Sequence, residues 1–373
     1  MVPVPGGRPP DPVYRPVLAA RRGELDALTH LDDTAAGRLA PILDLTSADP
    51  GTADALGRLP AGILPAVDAT ALPDTPEHDP VHWGVPLVPV VGLADSDRRL
   101  AAHGAAARAW AGRAVIRLRT GPDRAGPDAT TAAAERVWRS TGLAPEQCDL
   151  LLDAGDVCCP ADVRLAEPRV RRAAEWARRH AWRSVTVAAG GMPPALARLP
   201  TDEPVRLDRY DWLLWQRLAD LRLGYGDYGV GCAARGAEAP GDRLPTLRWT
   251  AGDAWWIYRW SRRGGRGDER FANLCRTLVA APHWPAAGAG FSWGDHEVLR
   301  RARRGAGAGS EAFWIAWSTS HHLAHVLAAL VRPERGQRGD SWRADQDAPD
   351  WGRAGRPQRG GESRRAGRVT PSR

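Results

Sequence analysis

Four apolar runs of this 373-residue chain are each interrupted by charge. Residues 39–45 (LAPILDL) carry Asp44, 63–69 (ILPAVDA) Asp68, 149–156 (DLLLDAGD) Asp153, and 114–119 (AVIRLR) Arg117 and Arg119. The two arginines stand two residues apart, so in a strand they share one face. A lone buried charge is strongly unfavourable, so these groups either pair with one another or face a solvated opening. Carboxylates gathered at an opening hold a divalent metal or act as a base, and arginines grip phosphate or carboxylate. A ring of salt bridges filling the interior would use the same residues. Glu24 joins Asp44, Asp68 and Asp153 as a candidate catalytic acid, because Arg22-Gly23-Glu24 follows the first apolar run directly. The competing role for Glu24 is a first-turn acid favoured by the helix dipole. Arg22, Arg117 and Arg119 are ligand-binding candidates, and Gly190-Gly191 offers backbone N–H groups to an anion, although glycine pairs also mark ordinary turns.

Seven apolar runs, at 13–18, 39–45, 63–69, 87–93, 114–119, 149–156 and 184–191, are the elements that would position these groups. Several lack strict alternation, as strands buried on both faces do. Pro41, Pro65 and Pro89 count against strands, since proline donates no ladder hydrogen bond. Between them lie Ala-, Leu-, Arg- and Glu-rich segments at 24–36, 96–111, 130–140 and 163–182, which read as helices. An eighth strand is expected at 228–232, or at 246–249 with 254–259 as an added hairpin. This β-α rhythm, over a length of about 250 residues, predicts a (β/α)8 TIM-like barrel; an open doubly wound parallel sheet is the alternative. In a barrel the active groups gather at the carboxyl ends of the strands, where these charges fall. The expected organisation is a disordered N-terminus at 1–12, the barrel at 13–262, and a C-terminal helical extension at 263–331. That extension has helices near 271–281, 296–304 and 313–331, and a disordered Arg/Gly-rich tail at 332–373 follows it.

All 51 basic residues are arginine. Without lysine there is no Schiff-base nucleophile, no pyridoxal-phosphate anchor, and no P-loop or kinase lysine. The net charge of +7 is concentrated in the tail, where 11 arginines face six acids; residues 1–331 carry 40 arginines against 38 acids. The tail therefore predicts weak, salt-sensitive nucleic-acid contact, and the near-neutral body none. Five cysteines form no CxxC pair and fit reduced thiols. Residues 1–12 lack an apolar core, so no signal peptide is expected, and no run is long enough to span a membrane; a cytoplasmic location follows. His321 and His325 lie one helical turn apart, a spacing compatible with metal ligation, though a packed histidine pair fits equally. Trp212 with Trp215, and Trp314 with Trp317, are spaced to share helix faces in the core.

Tyr14-Arg15-Pro16-Val17-Leu18, then Arg22-Gly23-Glu24-Leu25 and Pro41-Ile42-Leu43-Asp44-Leu45, resemble the opening of the phage beta protein family. The resemblance continues through Asp211-Trp212, Gly226-Asp227-Tyr228-Gly229, Leu247-Arg248-Trp249-Thr250, Phe291-Ser292-Trp293-Gly294-Asp295 and His321-His322-Leu323. Asp44 stands where that family tends to carry glutamate. The ordered landmarks make Asp227, Tyr228 and Asp295 further ligand-binding candidates. The family's namesake, from a satellite phage, is associated with counteracting a neighbouring killer gene. The resemblance implies a phage-defence or toxin–antitoxin setting and a protein partner encoded nearby, and it brings no catalytic residues. Two functional readings follow. One is an interaction protein that works through a charged barrel mouth. The other is a barrel hydrolase acting on a phosphate-containing substrate, its acids holding a divalent metal.

Overall fold

A computed structural model describes residues 14–45, 51–121, 126–234, 244–261, 267–305 and 309–331. The expected N-terminal segment and the Arg/Gly-rich tail lie outside these residues. Eight parallel strands form a nearly closed barrel flanked by helices, as the β-α rhythm predicts. In ring order they are β1 (Val17–Ala19), β2 (Ile42–Asp44), β3 (Ala66–Asp68), β4 (Val88–Gly92), β5 (Ala114–Arg119), β6 (Cys148–Asp156), β7 (Ser184–Gly190) and β9 (Gly224–Asp227). Tyr14, just ahead of β1, bridges to both Leu39 and Tyr225, and the Arg15 N–H donates to the Tyr225 carbonyl at 3.0 Å; these bonds join the last strand to the first.

Side-chain alternation sorts each strand into two faces. Val17, Ile42, Ala66, Val90, Val115, Leu151 and Ala188 fill the barrel interior. Leu43, Val67, Ile116, Leu152 and Val187 point outward into the helical layer. Pro41 and Pro65 fall one residue ahead of their strands, where their carbonyls accept from Ala66 and Val88. Pro89 lies within β4.

The eighth strand is shifted from both expected positions. It runs over Gly224–Asp227 and stops before Tyr228, because Gly229 takes a left-handed φ of 56°. Gly226 is required there: a Cβ would stand 2.6 Å from the Arg15 carbonyl oxygen. The segment at 246–249 belongs instead to β10 (Thr246–Ala251), which pairs antiparallel with β11 (Ala254–Arg259). A third strand that periodicity did not mark, β8 (Pro204–Asp208), adds to the far edge of β11. Its alternating exposed and half-buried residues and leading proline identify it as an edge strand only once its partner is known.

The expected helix at 24–36 is two helices, α1 (Arg22–Thr29) and α2 (Asp33–Ala36). Asp32 restarts the chain by accepting from the Ala35 N–H at 2.8 Å, a normal N-cap. The other barrel helices include α3 (Gly51–Gly57), α4 (Asp97–Trp110), α5 (Pro127–Thr141), α6 (Pro160–Ala177) and α7 (Tyr210–Arg217). After the hairpin come α8 (Gly267–Val279), α9 (Trp293–Arg304) and α10 (Glu311–Val331). Gly294 and Gly23 let α9 and α1 press against the backbone of α10, at the Trp317 and Ala312 carbonyls. Among the described residues no helix is long and apolar enough to cross a membrane.

Candidate functional site

Strand register gathers the intruding charges. Asp44 pairs with Asp68 across β2 and β3, and Arg119 with Asp153 across β5 and β6, all at the carboxyl ends. Arg117 reaches across the mouth. Its Nη1 donates to Asp68 at 2.6 Å and Asp44 at 2.9 Å, and its Nε donates to Asp153 at 2.9 Å. Its Nη2 donates to the Tyr228 hydroxyl at 2.6 Å, and that hydroxyl donates to Asp153 at 2.8 Å. One guanidinium, 7% exposed, thus binds three carboxylates and a phenol from four separate segments. Burial alone would raise the Asp68 pKa, but Arg117 and the Thr70 hydrogen bonds hold its carboxyl below the usual carboxylate range. Burial and then Asp153 push the Tyr228 phenol well up, keeping it protonated as a donor.

Above this lock lies a cavity of about 500 Å³. Arg21, Arg22, Gly23 and Glu24 form one wall, Glu311 and Ala312 another, and Tyr228, Cys232 and Arg248 a third. Arg22 and Glu24 therefore meet at the cavity, while Asp44, Asp68 and Asp153 lie on Arg117. Arg119 points away into solvent, 74% exposed, with its Nε 3.9 Å from Asp153. Gly190 and Gly191 face the protein's own acids: a Cβ on either would collide with the Asp156 or Asp211 carboxylate. Asp156 is itself held by the Ala233 and Ala234 N–H groups at 2.6 and 2.9 Å.

Asp227 and Asp295 lie apart from this mouth, in a buried network between the barrel and the last helices. Asp227 accepts from Tyr14 at 2.6 Å, Tyr225 at 2.9 Å and the Gly229 N–H at 2.9 Å, and lies 2.9 Å from His322 Nε2. Burial raises the Asp227 pKa, but His322 and Arg209 reverse that and hold the carboxyl low. Burial keeps His322 neutral despite Asp227. Its Nε2 can therefore donate to Asp227 while Nδ1 accepts from Thr250 Oγ1, 2.7 Å away. His321 has both nitrogens engaged, Nδ1 at 3.1 Å from Asp295 and Nε2 at 2.8 Å from the Thr250 carbonyl, and it stacks on Trp249. His325 lies beside it, ring centroids 6.1 Å apart.

A divalent metal does not fit either group. The Arg117 guanidinium nitrogens stand between the carboxylates a metal would bridge, and the His321 ring nitrogens are already bonded. Among the described residues no group of three or more His, Cys, Asp or Glu is placed to hold a metal ion.

Tyr14, Asp211, Thr250 and His322 stand in the sequence as separate landmarks, with nothing to join them to Arg209 and Tyr225; in the fold Arg209 Nη2 donates to Asp211 at 3.0 Å and to the Tyr225 hydroxyl at 2.6 Å, and that hydroxyl lies 2.8 Å from Asp211. Sequence reasoning also missed the closure of the barrel floor, where buried Asp149 accepts from Ser184 at 2.5 Å and pairs with Arg15 at 3.4 Å.

The fold and its mouth define a TIM-like barrel whose converging acids are tied to a central arginine. The chain belongs to the Beta protein family, which matches residues 14–328, from the tyrosine that closes the barrel nearly to the end of α10. No curated protein matches it.

Proposed function

We propose that this chain is a binding protein of a phage or mobile-element setting that counteracts the product of a neighbouring gene. Its charged barrel mouth seats part of that product. The observation that carries the reading is the Arg117 lock: Asp44, Asp68 and Asp153 are spent on one buried guanidinium, while Arg21, Arg22 and Glu24 face an open cavity above it. Acids committed in this way stabilise the barrel and are poorly placed as a base, whereas a charged rim over a closed floor suits recognition. The family's namesake adds the idea of an antagonist encoded nearby.

Expressing the adjacent gene alone and together with this chain tests the proposal. Growth inhibition by the neighbour, relieved by the wild-type chain but not by an Arg21→Glu/Arg22→Glu variant, supports it. A harmless neighbour, or full protection by the variant, refutes it.

A further inference from the structure

The chain-wide balance of 40 arginines against 38 acids in residues 1–331 conceals a local separation of charge on α6. This helix buries Val163, Val170 and Trp176 against the barrel. Its opposite crest exposes Arg164, Arg172, Arg178 and Arg179, with half-buried Arg169 on the flank. The arginines at 178 and 179 continue the helical turn: Arg178 keeps φ −61° and ψ −14°, and the Arg179 N–H donates to the Trp176 carbonyl at 3.1 Å. At 3.6 residues per turn, positions 164, 172 and 179 fall within an arc of about 80°.

Among the described residues none of these five arginines forms a salt bridge within 4 Å, although Arg178 lies within Coulombic range of Asp220. Neighbouring acids are committed to one edge of the helix, where Glu167 pairs with Arg171 at 3.2 Å and Arg217 at 3.0 Å, and Asp220 pairs with Arg171 at 2.7 Å. On the crest itself Glu175 is the one exposed acid among the described residues. Arg222, exposed and in a left-handed conformation at φ 54°, extends the basic surface at the helix's end, where it shares a shallow cleft with Arg178.

We infer that the crest of α6 is a second, independent interaction surface, for the phosphate backbone of nucleic acid. The rise of about 1.5 Å per residue spaces Arg164, Arg172 and Arg179 roughly 12 and 10 Å apart along one line. That is a linear array of forked donors suited to phosphates, with no base-reading element. A membrane surface fits poorly, because the apolar face of α6 is already buried and the exposed side offers a bilayer Leu165 alone among large apolar side chains of the helix. The surface lies outside the barrel wall, away from the mouth cavity, and does not depend on the antagonist reading.

The test is fluorescence anisotropy of the full chain with a labelled 24-base-pair duplex of arbitrary sequence, between 50 and 200 mM salt. An Arg164→Gln/Arg172→Gln/Arg179→Gln variant keeps helix propensity and should keep the wild-type melting temperature. Removing three phosphate contacts should make the slope of log affinity against log salt shallower by about 3, and weaken binding on the order of tenfold or more at low salt. An unchanged slope and affinity in the variant, or no duplex binding by the wild type, overturns the inference. Polyglutamate competing as well as duplex does so too, since it would assign the surface to an acidic protein. Should the variant melt early, protection of these arginines from phenylglyoxal by the duplex, read by mass spectrometry on the wild type, decides the matter. Absence of protection overturns it.

Discussion

Replacing Arg117 with methionine removes the one group that Asp44, Asp68, Asp153 and Tyr228 share. Methionine fills much of the same volume, so the loss is electrostatic rather than a cavity. Breaking a buried ion pair by deleting one partner costs about 3–5 kcal/mol, because charge is left behind without compensation. Here three carboxylates are left behind, two of them at most 4% exposed, so the upper part of that range applies. With an unfolding entropy of about 2 cal/mol/K per residue over roughly 320 residues, the melting temperature should fall by about 6–8 °C. The pH dependence gives a second signature. In the wild type the Asp68 pKa is depressed, so its contribution is present above the unfolded value and is lost as pH falls through the folded value. Without Arg117, burial raises that pKa, so the variant suffers most near neutrality and recovers towards the wild type as these acids protonate. Urea unfolding of both proteins at pH 7 and pH 5 measures this directly. A variant that melts with the wild type at pH 7, or a deficit that does not shrink on acidification, would refute the view that Arg117 is the structural hub of the mouth.

Gly294→Ala drives a methyl into the Trp317 carbonyl where α9 crosses α10, so a loss of at least about 1–3 kcal/mol is expected in urea titration, with mouth binding preserved. Burial lowers His103 to about 4 and His325 to about 3. The unfolded chain therefore takes up protons below about pH 6.5 that the folded chain refuses, and urea midpoints should fall steadily from pH 7 to pH 5. Asp44→Asn leaves Arg117 two carboxylates; with its side chain 13% exposed, Asp44 should give a smaller melting loss than Asp153→Asn, whose carboxylate is 4% exposed and bonded to both Arg117 and Tyr228.

The parallel barrel was legible because its signal is local: apolar runs of a few residues, each followed by a helical segment. Charges at the ends of those runs were legible for the same reason, and so was their gathering at one end of the sheet. Pairing was one of two open readings, but which arginine would take which acids was not legible. Asp44 and Arg117 are 73 positions apart, and nothing in either run says that one guanidinium reaches three strands. The eighth strand was misplaced because Gly224–Asp227 is only four residues long and half glycine, so periodicity passes over it. Its identity comes from Tyr14 and Arg15, more than 200 residues earlier. The three-stranded sheet shows the same limit, since the edge strand Pro204–Asp208 acquires its meaning only from Ala254–Arg259. Asp295 and His321 were visible as separate landmarks, yet their joint burial depends on how α9 crosses α10.

The most direct measurement is titration calorimetry of the adjacent gene's product against three forms of this chain, each with its melting temperature recorded. Asp153→Asn should melt several degrees lower but still bind, because the acids hold the barrel together. Arg21→Glu/Arg22→Glu should melt with the wild type but no longer bind, because the rim makes the contact. Binding lost in Asp153→Asn without a change in melting, or retained in the rim variant, would contradict this reading.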